Sequence, residues 1–339
     1  MQYSTFAAID IGSYDVILEI FEISKKQGIR SVDKICHRME LGKDTYTLGK
    51  IRPEMEEELC RVLADFVRIM EGYRVDDYRA TASSAISEAS NSLYVLGKIH
   101  QLTGFSVTVL SNSEQRFLSY KALAAMEDNF NKIIEKGTAI LDLDGGSFQI
   151  SLFDKDALVT TQNIRMGSLR IRERLAGIQS ETEHYEEMVE ELIWNEVSSF
   201  KKMYLKDRKI ENIMLIGDVF TDSVYQNIEE KTTKIISREN FNTWYEKIIR
   251  QSPMELAVKL GIPLENASLM YPSAVIYKCL IDMMGAEHIW IPGVHMTRGI
   301  AYEYAEQMKL LKGGHNFEND ILMAAKNIGK RYAVNRPHV

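Results

Sequence analysis

Two short runs hold most of the chain's potential for chemistry. Near the start, Asp10 is followed by Gly12 and Ser13; in the middle, Asp142 is followed by Asp144, Gly145, Gly146 and Ser147. Glycine has no Cβ, so backbone N–H groups in such turns can approach a phosphate oxygen closely. Serine hydroxyls add further donors. The carboxylates Asp10 and Asp142 repel bare phosphate, but can hold Mg2+ that bridges phosphate oxygens, or orient a water. One Asp-x-Gly-Ser reads first as an ordinary hairpin turn. Two, at matching places in a repeated unit, favour a pair of phosphate cradles.

The elements that must position them repeat as well. Ala7–Phe21 reads AAIDIGSYDVILEIF and Ala139–Phe153 reads AILDLDGGSFQISLF. Each is an apolar run closing on Asp, a Gly/Ser turn, then alternating apolar and polar residues, which predicts strand, turn and strand. A third β-like stretch ends in Arg38-Met39 before Gly42, and again in Arg165-Met166-Gly167, with a helical segment after each. The matched continuation predicts a duplicated domain.

Apolar residues from Leu59 to Met70 recur at three- and four-residue steps and predict a helix over Pro53–Tyr73. Pro53 falls in its first turn, where the missing N–H costs nothing. Further helices are expected at Ser87–Thr103, Glu181–Leu205 and Ser273–Met284, and short strands at Tyr78–Thr81, Ser106–Leu110, Ile213–Ile216 and His288–Ile291. Alternating strands and helices make an α/β architecture. The polar segment at 127–137 marks a boundary, giving lobes at 1–130 and 131–312 and a helical tail at 313–339.

Composition narrows the class. A length of 339 residues suits two domains, and 45% hydrophobic with 26% charged residues is the balance of a soluble globular chain. No run approaches the roughly 18 apolar residues of a membrane helix, and the N-terminus lacks signal-peptide features. Cys36, Cys60 and Cys279 are spaced without metal-type pairing, so a reduced cytoplasm is the expected setting. His288 and His295 stand apart from any cluster that suggests zinc. A net charge of −7 argues against broad nucleic-acid binding, and without a long apolar run no membrane partner is expected.

IDIGS at 9–13, LDLDGGS at 141–147 and VLSNSEQRFLSY at 109–120 resemble the exopolyphosphatase/guanosine pentaphosphate phosphatase (Ppx/GppA) family. ASSAISEASN at 82–91, LGIPLENA at 260–267 and HIWIPGVHMTRGIAYEY at 288–304 continue the likeness in the family's order. The resemblance implies two duplicated actin-like, ribonuclease H-like lobes around an interdomain cleft. The tail then becomes the start of a helical third domain, amphipathic through Ile321, Ala325 and Ile328. It also implies polyphosphate or guanosine penta- or tetraphosphate as ligand, with Mg2+ or another divalent cation. Glu114 takes the place of the family's general base, although Ser111 three residues earlier also makes it a capping-box glutamate; both readings can hold together. By the same likeness Asp142 positions metal or water, and Gly12, Ser13, Gly145, Gly146 and Ser147 line phosphate; Ser87 is added as part of a phosphate-lining turn, and Asp10, Asp142 and Asp144 as the carboxylates that hold the cation. Arg298 belongs at the seam between lobes, and a homodimer is left open.

Several departures fall on these positions. Ser87 stands where the family has a phosphate-gripping arginine, and a hydroxyl supplies neither its charge nor its fork. Asp144 replaces a loop glycine, and Gln149 a glutamate. Tyr14-Asp15 adds bulk and charge to the first loop, and Gly217-Asp218-Val219-Phe220 replaces a Gly-Gly-Thr turn. Three functions are therefore expected to compete: a phosphoanhydride hydrolase, a catalytically impaired sensor of such anions or of nucleotides, and a sugar-kinase-like or actin-like nucleotide binder.

Overall fold

The computed structural model describes residues 3–126, 130–155, 157–176, 185–227 and 235–311, with isolated positions 322, 325, 326 and 329. Apart from those isolated positions, the expected tail helix lies outside the described residues. Contacts divide the chain into two compact units, one running to Ala125 and resuming at Val294, the other running from Met126 to Gly293.

The first unit carries a five-stranded sheet of β1 (Ser4–Ile11), β2 (Asp15–Ser24), β3 (Gly28–Arg38), β4 (Asp77–Ala82) and β5 (Val107–Val109), in the order β3-β2-β1-β4-β5. β1, β2 and β3 form an antiparallel meander, while β4 and β5 join β1 in parallel. Helices α1 (Leu41–Leu48), α2 (Pro53–Tyr73), α3 (Ser84–Ser87), α4 (Ser92–Thr103) and α5 (Asn112–Met126) complete the run. α2 has the predicted limits because both ends are fixed locally. Pro53 opens it, and Arg74 closes it in the left-handed region at φ 53°, donating its N–H to Glu71 and Met70. Its buried face, Leu59, Val62, Leu63 and Phe66, packs with Ala7, Ile9 and Ile11 of β1. Each such side chain stabilises by about 1.5–3 kcal/mol when fully buried.

The expected helix over Ser87–Thr103 is broken. The Asn91 side chain donates to Ile51 O and accepts from Ile51 N, and Ser90 N donates to Gly49 O. These bonds tie the segment to the start of α2 and leave a one-turn α3 before α4.

The second unit repeats the plan. After α6 (Phe130–Ile134) come β6 (Thr138–Leu143), β7 (Phe148–Asp154) and β8 (Ala157–Ile164), then α7 (Ser168–Leu175) and α8 (Tyr185–Phe200), which ends in a π-helical turn at Lys201–Leu205. β9 (Asn212–Ile216), α9 (Val219–Asn227), β10 (Ile235–Ser237), α10 (Arg238–Ile249), α11 (Pro253–Leu260), α12 (Leu264–Met284) and β11 (His288–Trp290) follow. The sheet order is β10-β11-β9-β6-β7-β8, so β8-β7-β6-β9-β11 reproduces β3-β2-β1-β4-β5. Two sheets of one topology in a mixed α/β chain are the actin-like fold. α12 begins nine residues before the expected Ser273 because the helix runs through Pro272.

A last helix, α13 (Met296–Gln307), groups with the first unit, unlike the division at residue 312 drawn from sequence. Phe6 of β1 stacks on Tyr304 with ring centroids 4.1 Å apart, and Ile300, Ala301 and Ala305 join Phe21, Ile23 and Leu118 in one cluster. Gly299 permits this approach, since a Cβ there would lie 2.1 Å from Leu118 O. Arg298 therefore stands on a helix of the first unit.

Candidate functional site

In the first unit the Asp10–Asp15 turn is a closed hairpin. Gly12 N donates to Asp15 O at 2.8 Å, and a Cβ on Gly12 would stand 2.9 Å from that oxygen, which is why glycine is needed there. Ser13 is fully buried; its hydroxyl bonds Tyr46 OH at 2.7 Å and Ser84 Oγ at 3.2 Å. Ser13 O accepts from Gly42 N, which fixes the start of α1 against the turn. Asp10, half-buried, stands between Ile17 of β2 and Thr81 of β4. Asp15 pairs with Arg38 at 2.7 Å, and the Arg38 guanidinium lies over the buried Tyr14 ring. The bulk and charge expected to obstruct this loop are thus turned onto β3. Ser87 is exposed at the end of α3.

Glu114 caps α5. Its Oε2 accepts from Ser111 N at 2.8 Å and from Ser111 Oγ at 2.7 Å, and Glu114 N donates back to Ser111 Oγ. The Ser111 side-chain and backbone hydrogen bonds hold the carboxyl below its ordinary value, so this exposed group is ionised at neutral pH.

The second unit's loop follows β6. Asp144 N donates to Ser147 O at 2.9 Å, and the Asp144 carboxylate folds back so that Oδ1 accepts from Gly145 N at 2.6 Å. One of the three expected cradle donors at 145, 146 and 147 is therefore already engaged. Gly145, Gly146 and Ser147 are all buried. α7 starts against them: Ser168 N donates to Asp144 O, Arg170 N to Gly145 O, and Arg170 Nε to Gly146 O at 2.8 Å. The approach needs Gly167, where a Cβ would lie 2.2 Å from Asp144 O and 2.4 Å from Gly145 O. The repeated Arg-Met-Gly thus marks where a helix N-terminus meets the loop.

Beside Asp142, Gly217 adopts φ 103°, and a Cβ there would stand 2.6 Å from Asp142 Oδ1. Asp218 caps α9: its Oδ1 accepts from Thr221 N and from the buried Tyr277 OH, and its Oδ2 is sealed beside Ser273 without a well-formed hydrogen bond. Burial pushes this carboxyl up to about 7.

The profile of the Ppx/GppA phosphatase family matches residues 19–308, most of the chain. The chain belongs to the Ppx/GppA phosphatase family. A Fusobacterium nucleatum protein named bifunctional 3-dehydroquinate synthase/phosphatase is 21% identical over 84% of this chain and 44% of its own length. Exopolyphosphatase 1 of Mycobacterium leprae is 25% identical over 42% of this chain and 41% of its own. The chain thus spans less than half the length of these curated relatives. Among solved structures, an exopolyphosphatase from Cytophaga hutchinsonii superposes with a TM-score of 0.80 at 17% identity, covering 90% of this chain and 98% of that one. An Aquifex aeolicus Ppx/GppA member gives 0.71 at 17% identity, covering 91% and 99%. Glu114, Asp142 and the 144–147 loop fall inside the matched residues; Asp10, Gly12 and Ser13 precede them.

A Ppx/GppA member is expected to use a divalent cation, and the side chains can be tested against that. Among the described residues no three His, Cys, Asp or Glu side chains gather as a cage. Asp144, one of the expected ligands, spends Oδ1 on Gly145 N. Asp142 instead stands in register with Gln149 of β7, whose Oε1 is buried and accepts no hydrogen bond. A carboxylate beside an orphaned carbonyl oxygen suits a hard cation that takes its other ligands from water or phosphate. Arg170 is not singled out by sequence reasoning. Its place in the first turn after Arg165-Met166-Gly167 was the available signal. Tyr46, which holds Ser13, had none.

Proposed function

We propose that this Ppx/GppA protein hydrolyses the terminal phosphoanhydride of inorganic polyphosphate or guanosine pentaphosphate. The observation that carries the reading is the second-unit loop, where Arg170 sets a guanidinium on Gly146 at the N-terminus of α7. Loop N–H groups and an arginine are complementary to phosphate, while the Ser168 and Arg170 N–H groups that open α7 are spent on loop carbonyls and fix the loop in place. Arg170 supplies locally a charge that Ser87 cannot. Glu114, ionised and exposed, is the proposed general base. It takes a proton from water as the water oxygen bonds the terminal phosphorus and the bridging P–O bond breaks, releasing orthophosphate. Asp142 would hold Mg2+ with the substrate phosphates, and that ion supplies positive charge against the phosphate oxygens. The three free cysteines suit a reducing compartment.

One observation favours a second reading, a sensor that binds such an anion without turnover. Asp144 already occupies the Gly145 N–H that phosphate would use. Release of orthophosphate from polyphosphate and guanosine pentaphosphate in Mg2+ tests both. Turnover by wild type that disappears in Glu114→Gln supports the hydrolase, since glutamine keeps the capping box. Binding by calorimetry with no release from any phosphoanhydride overturns it in favour of the sensor.

A further inference from the structure

On the face of the second-unit sheet opposite its main hydrophobic cluster, a polar row crosses three strands. Asp142 of β6 is the direct partner of Gln149 of β7, and Gln149 of Asn163 of β8. Direct partners project to the same side with Cβ atoms about 4.5–5.5 Å apart. The next pair along, Ser151 and Thr161, confirms the shared face, since their hydroxyls bond at 3.1 Å. The other face is apolar, with Leu141, Leu143, Phe148 and Ile150 in the core.

Two members of this row are anomalous in the same way. Gln149 is 5% exposed and its Oε1 is sealed from solvent with no hydrogen bond; Asn163 Oδ1 is likewise sealed and accepts none. A buried amide oxygen without a donor bears the full desolvation penalty of that group, so native folds rarely keep one. These two oxygens, in one row across adjacent strands with a carboxylate, make an oxygen-only set of single negative charge. Hard cations take such ligands, Asn and Gln carbonyls included, and complete their shell with water.

We propose that Asp142, Gln149 and Asn163 form a divalent-cation site, with Asn163 a ligand that neither the family likeness nor the Asp10, Asp142 and Asp144 set includes. The proposal deepens the hydrolase reading, because it says which side chains of β7 and β8 hold the ion Asp142 was given. It also accounts for tolerance of Gln149 where the family has glutamate: a second carbonyl from Asn163 replaces a ligand, though not the lost charge.

The test is Mn2+ binding to the full chain, stripped with chelator and titrated without phosphate, followed by the electron paramagnetic resonance of free Mn2+. Wild type is expected to bind one Mn2+ at the row. Asn163→Ala should weaken binding at least about tenfold, as ligand-shell substitutions commonly do. Asn163→Asp and Gln149→Glu should each tighten it, since each keeps an oxygen and adds a charge. Circular dichroism and Tm confirm that every variant is folded. The proposal is overturned if folded Asn163→Ala titrates like wild type. A lower Tm with unchanged Mn2+ binding overturns it as well, and marks Gln149 and Asn163 as a structural amide pair. Phosphate release is read separately. Mn2+ bound through Asn163 in a chain that hydrolyses nothing refutes the hydrolase and leaves the site; hydrolysis with unaltered Mn2+ binding by Asn163→Ala does the reverse.

Discussion

Replacing Asp144 should make the second loop bind phosphate more tightly. Its Oδ1 stands 2.6 Å from Gly145 N, so a phosphate that claims this N–H must displace the carboxylate. A hydrogen bond to a charged partner is worth about 1.5–3 kcal/mol. The side chain is half-buried, and on release its carboxylate regains some hydration, so the net penalty falls to about 1–1.5 kcal/mol. That is about five- to thirteenfold in affinity. Asp144→Gly removes the whole competitor. Asp144→Asn leaves a neutral acceptor of about half the strength and should recover about half the gain in free energy. Stability should move the opposite way, with Asp144→Gly losing about 1 kcal/mol through the lost bond and added chain entropy. Calorimetric titration with tripolyphosphate in Mg2+ gives affinities, and thermal melts give stability. Folded Asp144→Gly binding no tighter than wild type would refute the argument that the loop is blocked by its own side chain.

Other consequences can be checked alongside. Ser111→Ala should cost about 1 kcal/mol as a lost cap. It should also let the Glu114 carboxyl rise toward its ordinary value, because the Ser111 side chain is the largest cause of its depression; the acid limb of the pH–rate profile then moves to higher pH. The Asp218 carboxyl is raised from 3.8 to about 7 by burial. Between those values the folded chain holds a proton that the unfolded chain has released, so wild type loses stability as pH rises through that window. Asp218→Asn has no such titration, and melts at pH 4 to 8 should show a Tm difference opening in the variant's favour. Gly167→Ala would force a Cβ to 2.2 Å from Asp144 O, and denaturant unfolding should show a loss of about 3 kcal/mol or more; near-neutral stability would refute the close approach of α7 to the loop.

The fold was legible wherever a signal is local. Pro53 starts α2 and an apolar stripe carries it to Tyr73, and the two copies of strand, turn and strand were visible as text before they were visible as sheets. Long-range bonds were not legible. Asn91 interrupts a helical pattern because of Ile51, forty residues away. α13 follows the second unit in sequence yet packs on β1, because Tyr304 has Phe6 to stack on. The site shows the same limit. Glu114 could be read as a base and as a cap, and the cap is formed. Asn163 is one polar residue among several until the register of β7 and β8 sets it opposite Gln149.

The two loops also show why counting charges in a sequence misjudges an anion site. Asp15 and Asp144 both read as negative charges set against phosphate. Asp15 is held by Arg38 on the β3 side, and Asp144 is folded onto its own loop's backbone. Diffuse repulsion and competition for one donor predict different responses to salt. Repulsion between partly exposed charges fades as the Debye length falls from about 10 Å at 0.1 M to about 3 Å at 1 M. Competition for the Gly145 N–H is a contact effect and persists. The affinity ratio of Asp144→Gly to wild type for tripolyphosphate should therefore stay nearly constant over that range, even as both affinities fall. A ratio that collapses toward one at high salt would mean that Asp144 acts at a distance, and that the Gly145 N–H was never what the phosphate needed.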